Sequence, residues 1–196
     1  MTLRLQTPSA APCVTVQEAK LHCRTIVDIS DVSNTSEDAL FASLIAAATQ
    51  DAEHLMGRSV MPQKWQVMLD AFSSSMDLQR PTVTAIDSIK YIDAAGTLQT
   101  LAPSVYQAVL ASEYTARAVL AYGQSWPSTR SQPEAVQIVF STGYADAASV
   151  PELIKTWIKL RVGALYENRE AWTTGQAIER NAHVDYLIDR YRTWLL

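Results

Sequence analysis

At 196 residues, 48% of them hydrophobic, the chain is long enough to bury a core of its own and too apolar to stay disordered as a whole. A net charge of −4, with no block of like charges, excludes a general electrostatic attraction to nucleic acid or to an anionic membrane. Two cysteines, Cys13 and Cys23, are too few for a disulfide scaffold, and no stretch approaches the ~20 apolar residues of a membrane span, so the expectation is a soluble protein made in the cytoplasm with reduced thiols.

Hydrophobic period divides the chain into three zones. Residues 1–60 read as helical. Thr15, with Glu18 three residues on, makes a capping-box pattern ahead of a short apolar face of Val16, Ala19, Leu21 and Cys23. The segment "DISDVSN" breaks that face. Thr35 and Asp38 repeat the capping logic, with an aspartate in the acceptor position. Phe41, Leu44, Ile45, Ala48, Ala52, Leu55 and Met56 then recur at spacings of three and four, one stripe of an amphipathic helix that Gly57 is placed to end.

Residues 61–146 read as strands. In "KWQVMLDAF", Trp65, Val67 and Leu69 point one way, with Gln66 and Asp70 among those on the other. "TVTAIDSIKYID" holds a second apolar series, "AAGT" is a turn, and Leu98 and Leu101 restart the pattern as a hairpin. "VYQAVL" and "YTARAVLAY" are short strand candidates. "SWPSTRSQPE" is a proline-containing loop, and "AVQIVFSTGY" is the cleanest strand. Short strands at this spacing predict a small antiparallel sheet or barrel.

Residues 147–196 return to helix. Pro151 suits a first turn, and Ser149 with Glu152 offers another capping box. Leu153, Trp157, Leu160 and Ala164 make one stripe, and Ile154, Ile158 and Leu165 an adjacent one. So wide an apolar arc needs two surfaces to cover it: either the helix is central to its own core, or it also packs on a neighbouring copy. Ile178, Ala182, Leu187, Ile188, Tyr191, Trp194 and Leu195 predict a last helix. The layout is α+β: a helical bundle from residues 1–60 and 147–196, with a small antiparallel β domain inserted at 61–146.

Catalytic and metal motifs are missing from the sequence. His22, Cys23 and Cys13 lack zinc-ligand spacing, and adjacent helical residues such as Glu53 and His54 do not face each other. No nucleophile elbow, dinucleotide fingerprint or Walker loop occurs, so no catalytic residue, metal or cofactor is assigned. Lys155, Lys159, Arg161 and Arg169 form a modest basic face that solvation alone explains. Tyr166, Glu167, Asn168, Arg169 and Glu170 are consecutive, so on a helix they encircle it and cannot line one pocket. With Trp157 and Arg161 they are the candidate subunit interface, Arg169 being able to pair bidentately with a carboxylate.

In order along residues 14–171, "VTVQEAKLHCR", "EDALFASLIAAATQDAEHLMGRSVMPQKWQV", "IDSIKYIDAAGT", "VYQAV" and "VQIVFSTGYADAASVPELIKTWIKLRVGALYENREA" resemble the head–tail connector (adaptor, head-completion) proteins of tailed bacteriophages and prophages. The resemblance implies a structural virion protein without catalysis, built into the neck as a ring, commonly twelvefold. Implied partners are further copies of itself, the portal protein and a neck or tail-completion protein. Genomic DNA passes through the ring without sequence-specific binding, and no membrane is involved. The N-terminal "TLRLQTPSAAPC" and the loop "ASEYTARAVLAYGQSWPSTRSQP" depart from the family pattern. Competing readings are another neck or tail-completion protein, a small-molecule enzyme and a DNA-binding regulator.

Overall fold

The period-two segments form strands and the segments of period three and four form helices, which makes the chain α+β. The computed structural model describes residues 1–30, 32–110, 112–168 and 182–193. In chain order the elements are β1 (Thr2–Thr7), α1 (Val16–His22), α2 (Asp38–Met56), β2 (Gln63–Leu69), β3 (Ser75–Leu78), β4 (Val83–Ile92), β5 (Leu98–Thr100), β6 (Tyr106–Val109), β7 (Ala116–Leu120), β8 (Val136–Thr142), α3 (Glu152–Glu167) and α4 (Ala182–Asp189). They divide into a β unit, Met1–Ala10 with Met61–Ala145, and a helical unit, Ala11–Val60 with Asp146–Leu196. Among the described residues no helix is long and apolar enough to cross a membrane.

The β unit holds two antiparallel sheets, ordered β1-β2-β8-β4-β5 and β3-β7-β6. Alternation places Val67, Ile89, Val136, Ile138 and Phe140 of the first sheet and Met76, Leu78, Ala116 and Ala118 of the second in one apolar core. The hairpin read at "AAGT" joins β4 to β5, with Ile92 opposite Leu98 and Lys90 opposite Thr100. Phe72 stacks on Trp126 at 4.7 Å, which covers one end of that core. At the end of β8, Gly143 has φ +104, and a Cβ there would collide with the Met61 carbonyl; only glycine fits.

The first ten residues depart from the helical assignment of 1–60. Thr2–Thr7 is an edge strand, with Leu3 opposite Val67 and Leu5 opposite Trp65. Leu3 packs against the core while Arg4, Leu5 and Gln6 stay exposed, so only one side chain in this strand carries an inward signal. β3 was equally hidden, because its apolar content is Met76 and Leu78 in an otherwise polar stretch.

In the helical unit, α2 buries Phe41, Ile45, Ala48, Ala52 and Met56 along the predicted stripe and ends at Gly57 in the left-handed region, φ 70. α1 starts on the predicted capping box: the Glu18 N–H donates to the Thr15 hydroxyl at 3.2 Å, and the Thr15 N–H donates to the Glu18 carboxylate at 2.6 Å. The other two boxes do not form. The N-cap of α2 is Glu37, without a side-chain cap, and Asp38 pairs instead with the buried Lys20 amine. α3 begins after Pro151, so Ser149 lies two positions too early to cap it; its N–H and hydroxyl donate to Asp146 at 2.7 and 2.8 Å. The last helix, expected from Ile178 to Leu195, is seen as Ala182–Asp189. Ile178, Trp194 and Leu195 lie outside the described residues.

Candidate subunit interface

α3 contacts α1, α2 and α4, so its wide apolar arc is covered from three sides within the helical unit. Ile154, Trp157, Ile158 and Val162 are buried on it. This is the arrangement expected of a central core helix. Trp157 is only 3% exposed, and its indole N–H donates to Asp185 of α4 at 3.3 Å. Burial holds His22 below the usual imidazole range, and nearby Lys159 adds to the effect.

The polar candidates on α3 also have partners within the unit. Arg161 reaches Asp51 of α2 through two donors, Nε at 3.0 Å and Nη2 at 2.9 Å. Both donors meet the same carboxylate oxygen, Oδ2, and both side chains are about half exposed, which limits the pair to under ~1 kcal/mol. Tyr166 stacks on Phe41 with ring centroids 4.9 Å apart and donates its hydroxyl to Glu37 at 3.0 Å. Glu167 and Asn168 end the helix exposed; the Asn168 amide donates to the Ala164 carbonyl at 3.0 Å. Burial raises the Cys23 thiol, and the charge of Glu167 adds to the effect. Arg169 and Glu170 lie outside the described residues. The candidate set therefore separates into Trp157 and Tyr166, which hold the subunit together, and Arg161, Glu167 and Asn168, which reach its surface.

Glu53 and His54 point apart. Glu53 is buried and accepts the Val60 N–H at 2.7 Å, whereas His54 is exposed. Among the described residues no group of three or more His, Cys, Asp or Glu converges as a metal site would require. A different surface carries no motif in the sequence. Val27, Ile29 and Val32, in the connection from α1 to α2, are all exposed. Their signal was present as apolar residues interleaved with acids inside a segment that fits no helix or strand.

No family model matches the chain, and no curated protein matches it. Its fold is shared with solved structures along its whole length. The neck of the empty gene transfer agent (GTA) particle, computed with C6 symmetry, has a chain that aligns at a TM-score of 0.80 and 23% identity, covering 100% of this chain and 97% of that one. A chain of the virion of the native GTA particle aligns at 0.78 and 23% identity over the same shares. One from the neck of the native GTA particle, computed with C12 symmetry, aligns at 0.70 and 19%, again with 100% and 97% covered. At these identities the likeness establishes a common fold.

Proposed function

We propose that this chain is a structural neck protein of a tailed, phage-like particle: a head–tail connector that assembles as a ring between the portal and the next neck or tail-completion component. The observation that carries the proposal is the end-to-end fold likeness to chains of the GTA neck, with almost nothing left over on either side. A shared fold alone does not fix function. Here it joins an independent resemblance in sequence, and the site offers structural contacts where a catalyst would need convergent titratable groups. The symmetries of those two necks, C6 and C12, favour a ring of twelve.

In this reading the helices of the helical unit act as a bundle, and Arg161, Glu167 and Asn168 are the candidate-set residues available to a neighbouring copy. The acids of the helical unit outnumber its bases, fourteen to ten, while the β unit carries six of each. Such a ring has no excess of cations to grip phosphates, which suits a passage through which DNA slides. Cryo-EM of particles carrying the chain tests the proposal. Density for it as a ring directly beneath the portal is the expected result. Its location at another level of the neck or tail would assign it to a completion role instead, and its absence from the particle would overturn the proposal.

A further inference from the structure

The intramolecular contacts of α3 leave open which surface joins one copy to the next. Scattered exposed aliphatics need no explanation, but three within six residues do. In the α1–α2 connection, Val27 is 96% exposed, Ile29 50% and Val32 68%. The connection is tethered at both ends. The buried Lys20 amine donates to the Asn34 carbonyl and pairs with Asp38, while Thr25 N–H donates to the Lys20 carbonyl at 3.0 Å and Ile26 is buried. A loop anchored this way loses less conformational entropy when it docks. Its charge is net negative, three acids (Asp28, Asp31 and Glu37) against Arg24 at its start: Asp28 lies between the exposed aliphatics, and no lysine or arginine occurs between Arg24 and Arg58. A fitting partner is therefore apolar with a cation at its edge.

The helical unit presents such a surface elsewhere. On α4, Tyr186 is 70% exposed. Arg190, one turn further on, is exposed with its guanidinium 5.4 Å from the Tyr191 ring. Tyrosine and arginine are side chains in which binding energy concentrates. The two surfaces lie toward opposite ends of α2. The connection leads into Asp38, whereas Thr193, just after α4, donates its N–H to the Met56 carbonyl at 2.8 Å. The 19 residues of α2 between those points span about 28 Å. Complementary surfaces at different places on one unit make a head-to-tail contact, which closes into a ring when the rotation permits.

We infer that the α1–α2 connection of one copy, through Val27, Ile29, Val32 and Asp28, docks on the outer face of α4 of the next copy around Tyr186 and Arg190. The inference rests on the ring reading above. Sedimentation velocity of the full chain, alone and mixed with portal protein, tests it on the wild type and on V27D, Y186A, D28R, R190E and D28R/R190E. All of these positions are exposed, and circular dichroism melts verify that each variant folds. V27D and Y186A are expected to weaken assembly about tenfold or more. D28R and R190E should each weaken it, and the double exchange should recover it. Wild-type rings with every variant assembling equally well would overturn this contact and leave the ring standing. A wild-type chain that stays monomeric in both conditions would overturn the ring, and this contact with it.

Discussion

Trp157 carries two signals that the sequence alone cannot separate: a large apolar side chain demands burial, and a neighbouring copy could supply it as well as the chain's own core. The bond from its indole to Asp185 and its burial between helices decide for the core. Trp157→Ala is therefore expected to cost about 3–5 kcal/mol of stability, read as a lowered urea midpoint with an unchanged slope. A change in assembly without loss of stability would contradict the packing described. Cys13 provides a second check at this scale. Burial pushes its thiol from 9.0 up to about 11, with Thr49 and the backbone opposing and Glu53 adding slightly. The unfolded thiol loses its proton near pH 9 while the folded one keeps it to about 11. Stability from this group is thus complete below pH 9 and falls as the pH climbs through that interval, by about 3 kcal/mol in all. Urea unfolding between pH 8 and 11 should show this fall in the wild type and lack that component in Cys13→Ala.

Edge strand β1 joins the start of the chain to the β unit through pairing with β2. Removing residues 1–8 is expected to raise hydrogen exchange at the β2 amides bonded to β1, with the α2 amides unchanged; equal protection with and without the segment would contradict the pairing. Thr15→Ala should lower the stability of the helical unit by about 1 kcal/mol through loss of the α1 cap. These two elements mark what the sequence could and could not reveal. α2 was legible because seven apolar residues and a terminal glycine agree on one stripe, and α1 because both halves of its capping box lie within four residues. β1 and β3 were hidden because a short strand with one inward face carries one or two apolar residues, too few to establish a period. The failed caps have a tertiary cause: Asp38 is held by Lys20, 18 positions back in the chain, a partner that no local spacing announces. The same holds for the candidate interface. Tyr166 finds Glu37, and Arg161 finds Asp51, across more than a hundred residues. Their role as internal contacts follows only once α2 lies beside α3.

For the whole molecule, the division of charge follows the division of structure. The β unit is balanced, and the entire net charge of −4 resides in the helical unit. Among the described residues of that unit, the exposed aliphatics Val27, Ile29 and Val32 lie in its N-terminal half, and the exposed Tyr186 and Arg190 lie in its C-terminal half. One subunit thus offers two unlike surfaces, the condition for a head-to-tail ring. A ring of twelve with no cationic excess would let DNA pass without capture. The central claim is that copies of this chain close on one another. Mass photometry of the full chain, alone and with portal protein from the same particle, measures that most directly. The account predicts a discrete species of twelve chains in at least one of the two conditions; a single-chain mass in both would contradict it.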